Sequence, residues 1–203
     1  MIPLFEKMCL EGAQSGLSWL TILRKREAYR RVFYNFDIDK VAAMTPQDVD
    51  RILAEQDKAN PRNLVVRHRG KIESVIHNAR CIQKLVEEQQ QHQQQHQHHD
   101  SQHPSTSDYW DEFLWSFVDN KPILNRTWHQ GSSVMTAMTQ SKESIAMSKA
   151  LKGLGFRFVG PTTMYAMMQS CGMVIDHPVN SPEWHAALKR LQQRPGGFQD
   201  QVL

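Results

Sequence analysis

The segment from Lys149 to Gly172, KALKGLGFRFVGPTTMYAMMQSCG, constrains the fold of this chain more than any other stretch. Upstream of it, Ser141 is typical of a helix N-cap, and apolar residues at helical spacing follow. Gly153 and Gly155 then offer the left-handed backbone conformation that commonly ends a helix. Pro161 suits the first turn of a second helix, because its missing N–H costs nothing there. The segment therefore predicts two helices joined by a tight hairpin.

The start of the second hairpin helix is an expected anion site. The N–H groups of a first helical turn have no intrahelical partner, and the helix dipole favours a negative group such as a phosphate. The helix that opens near residues 67–71, RHRGK, has a basic first turn, which also indicates a nearby anion. Helical hairpins that serve only to pack show the same pattern, so the hairpin sequence by itself leaves both interpretations open.

Length and composition bound the class of protein. A chain of 203 residues with 40% hydrophobic residues fits one packed domain, or one domain with an insertion and a tail. No apolar run approaches the roughly 18 residues that a membrane span needs, and a signal-peptide pattern is missing. Cys9, Cys81 and Cys171 lie far apart within apolar helical patterns, which indicates reduced thiols and an intracellular protein. A net charge of +3 permits a polyanionic partner without requiring one.

Helical periodicity covers most of the remaining chain. The pattern in residues 3–34 is interrupted by glycines, and Leu17, Leu20 and Leu23 continue it at spacings of three. Residues 45–48, TPQD, form a strong helix start, and residues 72–86 follow the three-and-four rhythm closely. Because no strand pattern is convincing, we predict an all-α fold of about eight helices.

The predicted domain organisation is a single helical domain with two low-complexity additions. The helical domain spans residues 1–191, and the tail at 192–203 is expected to be disordered. Within the domain, residues 88–107 form a Gln/His-rich insertion without apolar residues to bury, so we expect it to be disordered as well. Its histidines could also bind metal adventitiously.

The nonamer EGAQSGLSW, residues 11–19, is unusual for a helix that serves only to pack. Its two glycines, Gly12 and Gly16, suggest a bend or a place where another group comes close. Glu11 and Trp19 are eight residues apart, about two helical turns, so a regular helix would bring them to one face. A carboxylate and an indole there could hold a flat, electron-poor ring. Each also fits an ordinary role, Glu11 as a solvated charge and Trp19 as a core residue.

Five blocks of the sequence are specific rather than compositional. They are CLEGAQSGLSW at 9–19, RHRGKI at 67–72, LWSFV at 114–118, SKALKGLGFRFVGPT at 148–162, and the pair Asp176-His177. In this order they resemble the 3-methyladenine DNA glycosylase I family, over nearly the whole chain apart from the insertion, the loop at 57–63 and the tail. The resemblance implies a helix-hairpin-helix enzyme that hydrolyses the N-glycosidic bond of alkylated adenine in base excision repair.

The resemblance also implies roles for particular residues. Glu11 matches the family's base-recognising glutamate, and Trp19 matches its stacking tryptophan. The hairpin residues whose backbone would hold DNA phosphates are Phe158, Val159, Gly160 and Thr162. Asp176 lies roughly where related glycosylases keep a catalytic aspartate, and an aspartate that only braces the loop fits equally well. The implied partner is double-stranded DNA carrying alkylated bases. The protein is expected to act as a monomer, away from membranes, inside the cell, and in the nucleus or a DNA-containing organelle if its source is eukaryotic.

Complete members of this family carry zinc. The family's histidine and cysteine ligands correspond to His177 and Ser181, and its other ligands belong to an N-terminal segment that this sequence is expected to lack. Because structural zinc takes four nitrogen or sulfur ligands, we predict no metal site and no cofactor. The chain is thus expected to be a truncated or divergent member. The alternative function is a catalytically impaired helix-hairpin-helix protein that binds DNA without excising bases.

Overall fold

The computed structural model describes residues 3–57, 59–95, 105–124, 139–178 and 180–192. Within these ranges the protein is built almost entirely of helices, which confirms the all-α prediction. Nine α-helices lie in the described residues: α1 Leu4–Gln14, α2 Trp19–Val32, α3 Ile38–Ala42, α4 Pro46–Ala54, α5 Arg69–Gln95, α6 Thr106–Ser116, α7 Lys142–Gly153, α8 Pro161–Cys171 and α9 Pro182–Gln192. Two 3-10 helices, Tyr34–Phe36 and Pro61–Asn63, complete the helical part of these residues.

Side-chain caps explain where several helices begin. Thr45 and Ser141 each accept a hydrogen bond from the backbone N–H three residues later, as their sequence patterns predict. In both helices that third residue returns a bond to the cap backbone, which forms a reciprocal capping box. The two predicted helix starts are therefore confirmed at α4 and α7.

A short parallel sheet is the one departure from the helical prediction within the described residues. Strand β1, Ile123–Leu124, pairs with β2, Val174–Ile175, in the register Ile123 with Val174 and Leu124 with Ile175. Strands of two residues are too short to produce a detectable alternation in the sequence. Their consequence is local: β2 fixes the chain immediately before Asp176.

Helix α5 continues to Gln95, into the segment predicted as a disordered insertion from residue 88. Once residues 72–86 have nucleated a helix, adding residues costs little, and glutamine is a good helix former. At the other side of the insertion, Ser105 already caps α6. Residues 96–104, residues 125–138 and the tail from 193 lie outside the described residues. The disorder predicted for the middle of the insertion and for the tail therefore stays a prediction.

The leucines at positions 17, 20 and 23 are more exposed to solvent than their helical spacing suggests. Ile22 is fully buried, whereas Leu17, Leu20 and Leu23 are 37%, 53% and 46% exposed. The reason is that α2 begins only at Trp19, after a turn in which Gly16 adopts a φ of 75°. This turn sets the rotation of α2, so Ile22 faces the core and the leucines face outward.

A buried ion-pair cluster connects α1 to α2. The carboxylate of Glu6, which is 1% exposed, accepts hydrogen bonds from Arg26 Nε at 2.6 Å and from Arg30 Nε at 3.0 Å. A further bond from Arg30 Nη2 reaches the second carboxylate oxygen at 3.2 Å. Three charged hydrogen bonds on one buried carboxylate hold the two helices in a defined orientation.

The basic first turn of α5 faces the end of α1. Lys71, which is 9% exposed, donates from Nζ to the carbonyl oxygen of Ala13 at 2.9 Å and also to that of Ser15. These carbonyls carry the negative end of the α1 dipole. The sequence indicated an anion near residues 67–71. At Lys71, the negative partner is the C-terminal end of α1.

No helix in the described residues is long and apolar enough to cross a membrane.

Candidate functional site

A cavity of about 500 Å³ opens where α1, α2 and α8 meet the segment after β2. It contains three of the residues that the sequence singled out, namely Glu11, Trp19 and Asp176. The complete lining is Glu11, Gln14, Trp19, Ala166, Gln169, Ser170, Val174, Ile175, Asp176 and His177. The volume falls in the range of ordinary small-molecule sites, and six of the ten lining residues have polar or charged side chains.

Glu11 and Trp19 reach the cavity by a route that differs from the prediction. The chain between them is not a regular helix, because α1 ends at Gln14 and α2 begins at Trp19. Ser18 caps α2 by accepting from the N–H of Thr21 at 3.2 Å. Trp19 is thus the first residue of one helix, and Glu11 lies in the last turns of another. The two share a cavity wall because the chain turns, and the assumption of one continuous helix face is wrong.

Glu11 is a buried carboxylate that receives few hydrogen bonds from the rest of the protein. It is 5% exposed, and its one hydrogen-bond donor among the described residues is Ser170 Oγ, at 3.4 Å. Burial raises the pKa of Glu11, and the Lys7 charge and the Ser170 hydroxyl partly oppose that rise. Buried polar groups normally have their hydrogen bonds satisfied. A buried carboxylate that faces a cavity with one long bond therefore indicates a place for an external donor.

Asp176 lies on the same cavity and is held from α8. Tyr165 donates its hydroxyl to Asp176 Oδ2 at 2.7 Å, and Gln169 donates its amide to the same oxygen at 3.1 Å. Tyr165 is 2% exposed, so this bond ties the carboxylate to the core. His177 follows as an exposed residue of the cavity lining. The structure thus places a second carboxylate in the site.

The loop between α7 and α8 is held by side chains of two helices. Asn78 of α5 accepts from the N–H of Arg157 at 2.8 Å and donates to its carbonyl oxygen at 3.0 Å. Ser148 of α7 donates to the carbonyl oxygen of Val159 at 2.7 Å. Asn78 and Ser148 are 3% and 2% exposed, so these bonds form in the interior, where a hydrogen bond is strongest. They fix the course of the loop backbone.

The predicted backbone conformations of the hairpin are partly confirmed. Gly155 and Gly172 adopt positive φ angles of 87° and 73°, and Gly172 caps α8 as expected. Gly153, by contrast, is the last residue of α7 and is not in the left-handed region. The second left-handed residue of the loop is Phe158, with a φ of 58°. A non-glycine residue there is uncommon, which marks Phe158 as a constrained position.

The N-terminus of α8 has no side-chain cap. Its N-cap is Gly160, and Pro161 occupies the first position as predicted. Other helices in the described residues begin with an accepting side chain, as do α2, α3, α4, α6 and α7. The first N–H groups of α8 therefore depend on another acceptor, which is the arrangement that the sequence associated with an anion.

The hairpin loop touches α1 at Gly12, the residue after Glu11. A Cβ atom placed on Gly12 would lie 3.1 Å from Cβ of Phe158 and 3.4 Å from its carbonyl oxygen. Gly12 is thus the predicted point of close approach. The hairpin residues Phe158, Val159, Gly160 and Thr162 are not among the residues that line the cavity, and Phe158 meets α1 at Gly12.

Replacing Gly12 with valine is expected to destabilise the protein by about 1–3 kcal/mol, because the added side chain overlaps backbone-near atoms of Phe158. Thermal unfolding measures this change, with Gly153→Ala as the matched control. A Cβ on Gly153 meets nothing within 4 Å, so its replacement should be neutral or stabilising by up to about 1 kcal/mol. Equal melting temperatures for the valine variant and the wild type would contradict the close contact.

The described residues do not form a metal site. No group of three or more histidine, cysteine, aspartate or glutamate side chains in the described ranges is placed to hold an ion. Ser181, at the position of the family's cysteine, instead accepts from the N–H of Trp184 and caps α9. His177 is then the one match to the family's zinc ligands in this part of the chain, and a single imidazole does not fit structural zinc.

Three polar residues of the cavity, Gln14, Gln169 and Ser170, were not predicted. Ala166, Gln169 and Ser170 lie three and four residues apart, so they share one face of α8 beside its buried stripe of Met164 and Met168. That spacing is the available signal in the sequence. Which neighbour this face meets depends on how α1 and α8 pack, which the sequence pattern does not specify.

Comparison with known proteins identifies close relatives. The sequence model of the methyladenine glycosylase family matches residues 2–109 and 101–184. The DNA-3-methyladenine glycosylase of Haemophilus influenzae is 38% identical over 179 residues, which are 88% of this chain and 81% of the relative. DNA-3-methyladenine glycosylase 1 of Escherichia coli is 42% identical over 176 residues, which are 87% of this chain and 79% of the relative.

A solved structure shows the same architecture. The solved structure of 3-methyladenine DNA glycosylase I from Staphylococcus aureus, which concerns the structural basis of 3-methyladenine recognition by that enzyme, has a TM-score of 0.68 to this chain at 33% identity. The similarity covers 90% of this chain and 81% of that one.

Proposed function

The chain belongs to the methyladenine glycosylase family, and we propose on this basis that it releases 3-methyladenine from alkylated DNA. It is a DNA N-glycosylase, a hydrolase that cleaves the bond between base and deoxyribose in base excision repair. The family and enzyme class predicted from the sequence are thereby confirmed. The relatives favour excision over the alternative of a DNA-binding protein that has lost it.

The observation that carries the assignment of the site is the pairing of Glu11 with Trp19 in one cavity. Glu11 is 5% exposed and lacks a short hydrogen bond, and Trp19 lines the same cavity. A damaged base that leaves the DNA stack needs edge hydrogen bonds and an aromatic surface to hold it. These two side chains supply both.

Base recognition follows from charge. 3-Methyladenine in DNA carries a delocalised positive charge, so a neighbouring indole contributes about 0.5–2 kcal/mol of cation–π attraction. The Glu11 carboxylate accepts a hydrogen bond from the exocyclic amine, and its negative charge complements the ring. Normal adenine is neutral and gains less from either contact. Selectivity therefore comes from binding the charged base more tightly.

Bond cleavage makes modest demands on the enzyme. The N-glycosidic bond breaks with its electron pair going to the cationic base, which leaves as a neutral molecule. Positive charge develops on the sugar, a water oxygen adds to its C1′ atom, and a proton is lost to solvent. We assign to Asp176 the stabilisation of that charge or the orientation of the water, because Tyr165 and Gln169 hold its carboxylate on the cavity wall.

The hairpin is proposed to hold the DNA backbone. Gly160 leaves the α8 N-terminus without a side-chain cap, and Asn78 and Ser148 hold the loop that precedes it. Backbone N–H groups between Phe158 and Thr162 would then donate to DNA phosphates. Double-stranded DNA carrying alkylated bases is the partner. Action as a monomer, in the nucleus or in a DNA-containing organelle, stays a prediction.

The test is release of base from duplex DNA treated with a methylating agent, with the products separated by chromatography. We expect the wild-type protein to release 3-methyladenine. Trp19→Ala should lower kcat/KM by about 10- to 300-fold, since stacking and cation–π attraction are both lost. Trp19→Phe keeps an aromatic face and should retain more activity than the alanine variant. A wild-type protein that releases no 3-methyladenine would refute the proposed function.

A further inference from the structure

Ser170 lies in the cavity beside Glu11 and has no role in the function proposed above. Its hydroxyl has two acceptors within reach: Oε1 of Glu11 at 3.4 Å, and the backbone oxygen of Met167, one turn earlier in α8, at 2.9 Å. A hydroxyl donates one hydrogen bond at a time. The shorter contact is the one to Met167. Rotation about the Cβ–Oγ bond of Ser170 redirects the hydroxyl proton from one acceptor to the other.

The Ser170 hydroxyl is an important hydrogen-bond donor for the carboxylate of Glu11. Among the described residues, no other side chain or backbone group donates a hydrogen bond to its carboxylate. Burial disfavours the ionised form and raises the pKa of Glu11, whereas a hydrogen bond from Ser170 favours the ionised form. An ionised carboxylate is what a cationic base requires. The position of one hydroxyl proton therefore bears on the charge state of the base-binding group.

Resting on the proposed function, we propose that Ser170 is a positioning residue for Glu11. When a base enters the cavity, the hydroxyl turns from Met167 to Glu11 and holds Oε1. The other carboxylate oxygen is then presented to the exocyclic amine of the base. Ser170 touches neither the sugar nor the bond that breaks, and no bond is made or broken at its oxygen. It acts through the orientation and ionisation of Glu11.

Other charged or titratable groups surround this carboxylate and stay constant in the test. They are Lys7 on α1, Cys171 on α8, and Asp176 and His177 of the same cavity. Farther out, Lys71 of α5 binds the C-terminal end of α1, and Asp111 of α6 acts on Cys171. Removing the Ser170 hydroxyl leaves these side chains in place. It also removes a hydrogen bond to Cys171, but burial raises the pKa of that thiol to about 11, so it stays protonated in the pH range of the test. A shift in the titration of Glu11 in a Ser170 variant therefore reports the lost hydrogen bond.

The experiment compares wild type, Ser170→Ala and Ser170→Thr across pH. Without the hydroxyl the pKa of Glu11 rises further, so the acid limb of the kcat/KM profile moves to higher pH. We expect the alanine variant to be about threefold to tenfold less active than wild type on the acid limb and within about twofold at pH 8. Ser170→Thr keeps a hydroxyl and should restore the wild-type acid limb.

Ser116 provides the matched control. It is exposed and donates to the carbonyl oxygen of Phe113, also three residues earlier, at 2.7 Å. Ser116→Ala removes the same kind of helical bond away from the cavity and should leave the pH profile unchanged. Superimposed profiles for Ser170→Ala and wild type would overturn the proposal. So would an equal loss of activity at every pH together with a lower melting temperature, because that pattern indicates a structural role.

A second readout separates this proposal from the proposed function. The ¹³C signal of the Glu11 side-chain carboxyl, assigned by comparison with Glu11→Gln, reports its titration without any turnover. We expect the signal to titrate at higher pH in Ser170→Ala than in wild type. If wild type releases no 3-methyladenine yet this shift occurs, the function fails and the Ser170–Glu11 interaction stands. If wild type is active and no shift occurs, only the role of Ser170 fails.

Discussion

Replacing Glu11 with glutamine is expected to lower kcat/KM for release of 3-methyladenine by about 100- to 1,000-fold, the range for preorganised electrostatic groups in active sites. Glutamine has nearly the same shape and keeps a carbonyl acceptor, but it has no charge to complement the cationic base. The measurement is single-turnover release of base from methylated duplex DNA. Activity equal to wild type would remove Glu11 from base recognition.

The same substitution should not weaken the fold. Burial raises the pKa of Glu11 in the folded protein above its pKa in the unfolded chain. The contribution of Glu11 to stability is therefore fully present at a pH below the unfolded-state pKa. It is lost as the pH rises through the folded-state pKa. At neutral pH the ionised carboxylate is the unfavourable form, and glutamine removes that charge. We therefore expect the melting temperature of Glu11→Gln at pH 7 to equal or exceed that of wild type.

Glu27→Gln is the matched control for the loss of a carboxylate. The side chain of Glu27 is 82% exposed and pairs with Arg30 one turn along α2. An exposed pair of this kind contributes at most about 1 kcal/mol, so both activity and stability should stay close to wild type. Loss of excision in Glu11→Gln with normal excision in Glu27→Gln would place the effect at the cavity.

Replacing Glu6 with alanine is expected to produce the largest loss of stability, about 2–4 kcal/mol. The substitution leaves Arg26 and Arg30, whose side chains are 23% and 31% exposed, without their shared carboxylate. Breaking a fully buried pair costs about 3–5 kcal/mol, and the partial exposure of the arginines reduces that value. For a chain of this size the melting temperature should fall by roughly 4–16 °C.

Glu27→Ala tests whether the effect belongs to the buried cluster. It removes a second carboxylate partner of Arg30, which lies 3.1 Å away, but from an exposed position. We expect a change below about 1 kcal/mol. Similar melting temperatures for the Glu6 and Glu27 variants would show that Glu6 does not hold α1 against α2.

The sequence predicted the parts of the fold that local chemistry decides. Thr45 and Ser141 begin helices because their hydroxyls satisfy backbone N–H groups of the same turn. Gly172 ends α8 because a left-handed residue is favourable without a Cβ atom. These signals lie within a few residues of their effect. Their placement therefore needs no knowledge of the rest of the molecule.

The sequence predictions that were wrong concern residues whose structure is decided by parts of the chain outside the local pattern. Leu20 and Leu23 fit an apolar stripe, but the turn at Gly16 sets the rotation of α2 and exposes them. Phe158 takes a left-handed conformation in a loop where Asn78 and Ser148 hold the neighbouring backbone. Neither cause is visible in the local pattern.

The sequence predicted which residues line the candidate site better than it predicted how the chain arranges them. Glu11, Trp19 and Asp176 do line one cavity, but Glu11 and Trp19 do so across a break between two helices. Ser170 belongs to the site because α8 packs against α1, a contact between residues 159 positions apart. A single sequence offers no signal for that pairing, since many faces of α8 could meet α1.

The contact between Gly12 and Phe158 has a consequence for how such an enzyme can change. Glu11 and Gly12 are consecutive in α1, and one faces the cavity while the other faces the hairpin loop. A shift of α1 that widens the cavity for a bulkier damaged base would also change the contact between Gly12 and Phe158 of the hairpin loop. Diversification of substrate range is therefore expected at Ala166 of α8, which lines the cavity without a binding or positioning role, and α1 should be the side of the site that tolerates the least change.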